Sequence, residues 1–317
     1  MCSQFLEEST KLAQICEQIF ATGEYVPSTG AEAEAVRSLG FELRGSTLVL
    51  PAGIEYLDES CIEQELRNNT RVSHLNSVVV KKCVGSTNQE LLMLARSSDL
   101  SGTVLFAELQ TSGRGRFGRS WHSPVGRNLA VSLGARVSRD PDDLGAISLI
   151  IGVAVANAIQ ELGIDDITLK WPNDILLDKR KVGGILVDVV HAMSPIEIVV
   201  GIGLNIGGGP LIGEVVDNPI ADLLDHCSPP IRNRLAVSIV RNVYDAIRSF
   251  ESQGFHVFRE RWSALDALSG ISVTVSTPGE SIQGIARDVR QTGELCIELE
   301  DGTIHHVIAG DVSLDYT

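Results

Sequence analysis

The densest group of chemically capable residues is the segment 113–121, GRGRFGRSW, whose first seven positions hold three arginines and three glycines. The whole chain has a formal net charge of −15, so this concentration of cations is unusual. Guanidinium forks bind carboxylates and phosphates, and glycines let backbone N–H groups approach the same anion. The pattern indicates an anion-binding loop or a solvated basic loop for an acidic partner, and the cation density favours an anionic, phosphate-bearing ligand. It is not a Walker A loop, because the Lys-Ser/Thr ending is absent.

A second candidate group is the segment 170–174, KWPND, which lies at the end of a predicted strand. Lys181 follows across a predicted hairpin turn. A β-turn with Asn-Asp chemistry would explain KWPND, and an ordinary turn cation would explain Lys181. The alternative places Lys181 at the same sheet edge as the arginine loop, where it would add a further cation.

Two further segments carry polar residues at the ends of predicted elements. In GSTNQE (85–90), Thr87 with Glu90 fits a capping box, or Ser86 caps the helix instead. Such a helix N-terminus also offers free N–H groups to a ligand. In GIGLN (201–205), the two glycines permit close backbone approach and the asparagine ends the strand.

Taken together, these segments resemble the biotin–protein ligase family. GRGRxGR followed by KWPND and by a lysine before VGGIL is specific as a combination, and the resemblance covers about residues 70–317. It implies two steps, with ATP and Mg²⁺ as the cofactors. Biotin and MgATP give biotinyl-5'-adenylate and pyrophosphate, and a lysine of a carboxylase carrier domain then attacks the mixed anhydride. No covalent enzyme intermediate is implied, so no nucleophile is expected.

The resemblance also implies roles for individual residues. The catalytic residues would be Lys181, Arg116, Arg114 and Asp174. The residues implied to bind biotin are Ser86, Thr87, Asn88, Gln110, Gly113, Arg114, Gly115, Arg116, Trp121, Lys181, Gly184, Leu186, Gly201 and Gly203. Those implied to bind the nucleotide are Arg116, Arg119, Trp121, Asn173, Asp174, Lys181 and Asn205. No protein metal site is predicted, and Mg²⁺ is expected only with the ATP substrate.

The sequence departs from the family pattern at the adenine end. Regulatory members carry a tryptophan over the base, whereas residues 215–224 here contain no aromatic residue. Pro219 or Ile220 would cover the base instead. Near the C-terminus, Asp315 stands where family members can carry an arginine, which argues against a nucleotide contact from that strand.

Predicted helices and strands must position these residues, and their order indicates an α+β fold. The strands between 167 and 205 are joined by turns too short for crossover helices, which predicts a mixed or antiparallel central sheet with helices. From residue 271 the chain alternates short strands and turns, including Asp301-Gly302, which predicts a small β-barrel, SH3-like by the resemblance. The predicted domains are 1–58, 59–269 and 270–317.

The N-terminal range predicts a helix, a second short helix and a hairpin, which make a degenerate winged-helix-like module. Residues 1–58 hold three cations and nine acids, a net charge of −6. Glu32 and Glu34 lie where a recognition helix would begin, and DNA affinity needs several phosphate-neutralising cations. We therefore predict that DNA binding is lost and that the module serves packing. The alternative is a bifunctional ligase and repressor of biotin synthesis.

Other activities are less consistent with these residues. A lipoate or octanoate ligase of the same superfold is a further alternative, but lipoate ligases lack the pairing of GRGRxGR with KWPND. Octanoyl enzymes use a cysteine nucleophile, and no cysteine here lies in a site motif. A biotin binder without catalysis would not need Lys181 and the arginine loop together.

The remaining sequence features concern location and partners. The six cysteines include no CxxC pair, no signal peptide opens the chain, and the apolar stretch 144–159 is too short for a bilayer. These features predict a cytoplasmic protein whose stretch 144–159 is a core helix, with no membrane partner. The segment VGGILVDVV (182–190) would suit a sheet edge for homodimerisation. The predicted partners are biotin, ATP and the carrier domain of a biotin-dependent carboxylase.

Overall fold

The computed structural model of the chain describes residues 2–69, 72, 74–213, 219–277 and 279–314. The helices in these ranges are α1 (Cys2–Thr22), α2 (Gly30–Arg37), α3 (Glu59–Arg67), α4 (Thr87–Leu94), α5 (Ile147–Gln160), α6 (Gly209–Gly213), α7 (Arg232–Gln253) and α8 (His256–Leu265). The strands are β1 (Glu24–Tyr25), β2 (Glu42–Arg44), β3 (Thr47–Val49), β4 (Ser77–Val84), β5 (Thr103–Arg114), β6 (Ser120–Ser123), β7 (Asn128–Val137), β8 (Ile167–Lys170), β9 (Asp174–Leu177), β10 (Arg180–His191), β11 (Ile196–Asn205), β12 (Ser272–Ser276), β13 (Ser281–Val289), β14 (Leu295–Glu298), β15 (Ile304–Val307) and β16 (Asp311–Leu314). Short 3-10 turns cover Arg116–Gly118, Pro141–Ala146 and Leu223–Asp225.

The N-terminal module, residues 2–58, contains α1, α2 and a three-stranded sheet of order β1-β3-β2. The predicted hairpin is present as β2 and β3. Strand β1 was not predicted, because its two residues are held only by pairing with β3. Ile15, Cys16 and Ile19 of α1 share one buried cluster with Leu109 and Val125. Because those last two lie on β5 and just after β6, the module packs directly on the strands that carry the arginines.

The central sheet has the order β4-β5-β7-β11-β10-β9-β8, with β6 paired to β5. Strands β4 and β5 are parallel and are joined through α4, whereas the other pairs are antiparallel. The sheet is therefore mixed, as predicted. One prediction was wrong in part: β10 lies between β9 and β11 and is not an edge strand along its whole length. Pairing with β9 ends at Gly184, so residues 186–191 have no described strand on that side.

Helix α5 fills the core between the sheet and α7. Eleven of its fourteen residues are buried, because apolar residues occupy every face. The segment Pro141–Gln160 is apolar and long enough to cross a membrane by composition, but most of it is buried inside the fold. The prediction of a core helix is therefore confirmed. The helix begins at Ile147 and not at residue 144, because Pro141–Ala146 form a 3-10 turn capped by Asp140.

A buried ion pair fixes the segment that connects the N-terminal module to the central sheet. Arg232, at the start of α7, donates to Glu108 of β5 at 2.8 Å, and both side chains are at most 2% exposed. The other oxygen of Glu108 accepts the N–H of Leu57 at 2.6 Å. Removal of one partner would leave an uncompensated buried charge, which is costly. The pair therefore holds β5 in place two residues before Gln110.

The C-terminal sheet has the order β15-β14-β13-β12-β16 and is antiparallel throughout. Five short strands were predicted here, and the sheet confirms them. The indole N–H of Trp171 donates to the carbonyl of Gly293 at 2.9 Å. Because Trp171 lies directly after β8, this bond attaches the C-terminal sheet to the KWPND turn.

Candidate active site

A cavity of about 740 Å³ opens between α4, the β5–β6 hairpin, the β9–β10 hairpin, the end of β11 and the start of β16. All predicted site residues except Gly113 line it: Ser86, Thr87, Asn88, Gln110, Arg114, Gly115, Arg116, Arg119, Trp121, Asn173, Asp174, Lys181, Gly184, Leu186, Gly201, Gly203 and Asn205. Gly113 lies behind the wall, opposite Trp121 in the β5–β6 pairing. A Cβ on Gly113 would lie 2.4 Å from the Trp121 carbonyl oxygen. Because it has no side chain, Gly113 therefore allows β6 to lie close to β5.

One end of the cavity is a network of buried hydroxyl and amide groups. The Gln110 side-chain oxygen accepts from the backbone N–H of Thr87 at 2.9 Å and from its hydroxyl at 3.2 Å. Ser132 Oγ lies 2.7 Å from Thr87 Oγ1 and 2.5 Å from Asn88 Oδ1. Asn88 in turn donates to Asp188 at 2.8 Å. Such a fixed set of donors and acceptors can bind a small polar ring by hydrogen bonds to its edge.

The predicted capping box is not formed at the start of α4. Ser86 occupies the N-cap position, but its side chain makes no capping bond within the described structure. Thr87 lies inside the helix and directs its hydroxyl to Gln110 instead of pairing with Glu90. The polar groups of this helix start therefore face the cavity.

The glycines of β11 make room for the cavity's side chains. A Cβ on Gly201 would lie 2.2 Å from Asn88 Oδ1, and one on Gly203 would lie 2.4 Å from Trp121 Cε2. The prediction that these glycines allow close approach is confirmed. Trp121 consequently lies flat against β11 and forms an apolar surface in the middle of the cavity.

Lys181 lies beside that surface and pairs with Asp174. Its Nζ lies 2.5 Å from Asp174 Oδ1 and 5.9 Å from the centroid of the Trp121 ring. The pair results from the predicted β9–β10 hairpin, whose two turn residues, Asp178 and Lys179, have φ of 50° and 61°. The Lys181 side chain keeps 35% exposure, so a ligand in the cavity can reach the ammonium.

The arginine segment is more ordered than a loop. β5 continues to Arg114 and pairs with β6, so the segment is a hairpin with a 3-10 turn at its tip. Arg116 donates to Asn173 Oδ1 and to the Gly310 carbonyl, both at 3.3 Å. Burial lowers the pKa of Arg116, a sign of the cost of placing this charge there. Arg119 forms an ion pair with Asp311.

Some site residues were missed by the sequence reasoning. Lys170 lines the cavity, and its burial lowers the pKa of its ammonium. Its position in KWPND was the signal that could have identified it. Asp311 lines the cavity, and Ser132 and Asp188 bond to its lining residues Thr87 and Asn88. None of the three gave a comparable signal, because only strand pairing and the C-terminal sheet bring them there. Trp171 of KWPND is buried and serves the Gly293 bond.

Two buried polar atoms belong to residues that line the cavity toward its Asn205 end. Asn205 Oδ1 and Trp121 Nε1 are buried and have no hydrogen-bond partner among the described residues. Buried polar groups are nearly always bonded, and both residues line the cavity, so polar groups of a bound ligand are candidate partners for these two atoms. Pro219 and Ile220 line this end, as proposed for the cover over a base. Residues 215–218 and Asp315, which also entered that proposal, lie outside the described residues.

Comparisons with known proteins agree on one family. The model of the Biotin/lipoate A/B protein ligase family matches residues 80–205, and that of the Biotin protein ligase C terminal domain matches residues 268–315. The chain is 34% identical over 276 residues to the bifunctional ligase/repressor BirA of Escherichia coli (strain K12), covering 86% of this chain and 83% of that protein. It is 37% identical over 235 residues to the biotin–[acetyl-CoA-carboxylase] ligase of Mycobacterium tuberculosis, covering 72% and 85%. A solved biotin protein ligase from Aquifex aeolicus, in complex with biotin and ATP, is 25% identical with a TM-score of 0.62 and covers 76% of this chain and 99% of that chain.

Proposed function

This chain belongs to the biotin–protein ligase family, and we propose residue roles for its two reactions, adenylation of biotin and transfer to a carrier lysine. The chain is an ATP-dependent ligase that uses biotin and ATP as substrates and a carboxylase carrier as acceptor.

One observation carries the proposal: a single cavity joins the Thr87–Gln110 network to the unpaired Asn205 oxygen, with Lys181 between them. The network suits the ureido ring of biotin, and Trp121 and Leu186 would contact the apolar valeryl chain. The Asn205 end suits the adenine base. The carboxylate of biotin and the α-phosphate of ATP would then meet beside Lys181.

In the first reaction, a biotin carboxylate oxygen attacks the α-phosphorus and pyrophosphate leaves with the electron pair of the broken P–O bond. Two anions must approach each other, and charge develops on the phosphoryl oxygens. Lys181, Arg114 and Arg116 supply fixed positive charge there. Truncating one such group costs on the order of 2–4 kcal/mol of transition-state stabilisation. Asp174 holds the Lys181 ammonium toward this point.

In the second reaction, a neutral carrier lysine attacks the acyl carbon, AMP leaves, and the new amide loses a proton. Asn173 and Asp174 lie at the reacting centre and would orient the incoming amine. ATP is expected as its Mg²⁺ complex. The described residues contain no group of three or more metal-ligating side chains, but Asp174 is a lining carboxylate. This fits Mg²⁺ held by substrate phosphates with few protein ligands.

The direct test is a transfer assay. Purified protein, MgATP, biotin and a biotin-carrier domain are mixed, and the carrier is probed with streptavidin. We expect labelling that depends on ATP. Lipoate or octanoate in place of biotin should give no acylated carrier by mass spectrometry. Lipoylation or octanoylation at a comparable rate would contradict the assignment of the polar end to biotin.

We also propose that the N-terminal module does not bind DNA, although several relatives are named as ligase/repressors. Its three cations pair with acids of the same module, namely Lys11 with Glu32 at 2.5 Å, Arg37 with Glu34 at 3.0 Å and Arg44 with Glu42 at 2.9 Å. Little positive charge is left for phosphates. The test is binding to a biotin-operon operator with biotin and ATP present. Salt-dependent, sequence-selective binding would instead support the hypothesis of a bifunctional ligase and repressor.

Finally, we propose a cytoplasmic homodimer that pairs through the free part of β10. Residues 186–191 lack a described strand on one side, and Val189 within this stretch is 45% exposed. An unpaired strand of this kind can add a second copy. Sedimentation should show a dimer that a Val189→Lys substitution weakens. Cys16, Cys61, Cys83, Cys227 and Cys296 are free thiols, as expected of a protein in a reducing compartment.

A further inference from the structure

The turn that follows β11 contains three consecutive glycines, Gly207, Gly208 and Gly209, the last of which begins α6. Glycine-rich turns can present backbone N–H groups to a phosphate. Here these groups are already used. Gly207 N donates to the Arg127 carbonyl at 3.0 Å, and the next two donate to Asp222 at 3.1 Å and 2.7 Å. The turn therefore holds a protein carboxylate in the place of a ligand anion.

The Asp222 carboxylate forms its hydrogen bonds outside its own helical turn. It occupies the N-cap position of the 3-10 turn Leu223–Asp225, where an aspartate ordinarily caps its own helix. Its side chain makes no such cap bond within the described chain. It reaches instead to the glycine turn, and a Cβ on Gly209 would lie 2.4 Å from its Oδ2. Asp222 is 7% exposed, and burial raises its pKa. A costly buried carboxylate is thus used to bridge two segments.

The two bridged segments each adjoin residues that line the Asn205 end of the cavity, although the glycine turn itself does not line it. On one side, Pro219 and Ala221 hydrogen-bond the backbone of Lys181 at 3.1 Å and 2.9 Å, and Ile220 between them lines the cavity. On the other side, the glycine turn connects Asn205 to α6. Leu224 N also donates to the Ile206 carbonyl at 2.9 Å, so the two segments are joined at two points.

We propose that Asp222 is a positioning residue for ATP. Its carboxylate locks the glycine turn onto the segment 219–221 and thereby sets the distance between Asn205 and Ile220, the two walls of the base pocket. This inference rests on the proposed assignment of that end to the nucleotide. It has a second consequence: because the turn's N–H groups are occupied, the phosphates of ATP must be bound by the cationic side chains.

The test uses the full-length chain with Asp222→Ala, Asp222→Asn and Asp225→Asn. Asp225 is half exposed on the same 3-10 turn and pairs with Arg180 on its outer side, so it is the matched control. For Asp222→Ala we expect a rise of about tenfold in the KM for ATP, with kcat and the biotin Kd measured without ATP changed by less than about threefold. Asp222→Asn should give a smaller rise, because the amide keeps one acceptor. Asp225→Asn should match the wild type.

Three outcomes separate the ideas. An unchanged KM for ATP in both Asp222 variants overturns the positioning role. An equal loss of ATP and biotin affinity together with a lowered melting temperature also overturns it, since that result means general destabilisation. Wild-type protein that forms no biotinylated carrier overturns the proposed function instead. Should Asp222→Ala fail to fold, Asp222→Asn decides the question, since it preserves the shape of the side chain.

Discussion

The cations of the N-terminal module and those of the cavity have opposite surroundings. In the module, Lys11, Arg37 and Arg44 each pair with a glutamate on the same small unit. The cavity is lined by more cations than acids, and two of these cations are paired, Lys181 with Asp174 and Arg119 with Asp311. The other four, Arg114, Arg116, Lys170 and Lys179, have no ion pair to a described residue.

This difference supports the proposal that local charge balance, and not the net charge of −15, decides which region binds an anionic ligand. Surface ion pairs such as those of the module contribute little to stability, and each of their cations is already neutralised by a neighbouring acid. An excess of buried or half-buried cations is costly, as the lowered pKa values of Arg116 and Lys170 show. Such an arrangement persists where an anion of comparable charge completes it, and the triphosphate of ATP meets that condition.

The largest effect is expected from Lys181→Gln. Loss of the ammonium removes positive charge from the point where the carboxylate meets the α-phosphate, so kcat/KM for adenylation should fall by about 10²–10³. The measurement is biotin-dependent pyrophosphate release. Lys81→Gln, which changes an exposed lysine of β4, should leave the rate unchanged. Full activity of Lys181→Gln would remove the main support for the residue roles.

A second experiment compares equal charge changes in the two regions. Arg116→Ala should lower kcat/KM for ATP by at least about tenfold, because a half-buried guanidinium at the phosphates is lost. Arg37→Ala removes the same charge from the module and should leave transfer to the carrier within about twofold of wild type. Comparable losses in both variants would mean that overall charge, rather than local imbalance, controls activity.

A smaller effect is expected where a buried acid lacks a cation. Asp266 lies between α8 and the C-terminal sheet, and burial raises its pKa to about 6 from 3.8. The folded state therefore binds a proton on Asp266 more tightly than the unfolded state does. This difference stabilises the fold fully below pH 3.8, and the stabilisation is lost as the pH rises through 6. Asp266→Asn should be more stable than wild type at pH 8, on the order of 2 kcal/mol, and equal to it near pH 3.5. Denaturant unfolding at both pH values measures this.

Asp301→Asn gives a control of opposite sign. The Asp301 carboxylate accepts from the hydroxyl and backbone N–H of Thr303, which lowers its pKa. Its stabilising contribution is present above pH 3.8, so this variant should be slightly less stable than wild type at pH 8. A loss of stability at pH 8 in both variants would contradict the account of Asp266.

The sequence predicted most long elements within a few residues. The apolar pattern of residues 128–137 predicts a strand with the observed bounds of β7, and that of residues 231–251 predicts a helix whose ends differ from those of α7 by at most two residues. β1, β6 and α6 were missed, since elements this short are held by partners far away in the chain and not by their own residues. The same reason explains why the predicted capping box did not form, because the Thr87 hydroxyl bonds to Gln110, which is distant in the chain, and not to Glu90 of the same helix.

By itself, the sequence determined which cations and glycines this protein carries, and these favoured an anionic, phosphate-bearing ligand; the joining of a carboxylate to that phosphate was implied by the family resemblance of the motifs. Residue type fixes charge and backbone freedom, and both can be read without a fold. Only the tertiary structure decided which cations stay unpaired, that Ser132 and Asp188 complete the polar end, and that Asp222 holds the glycine turn. Those facts depend on strand register and on contacts between distant segments, which no local pattern encodes.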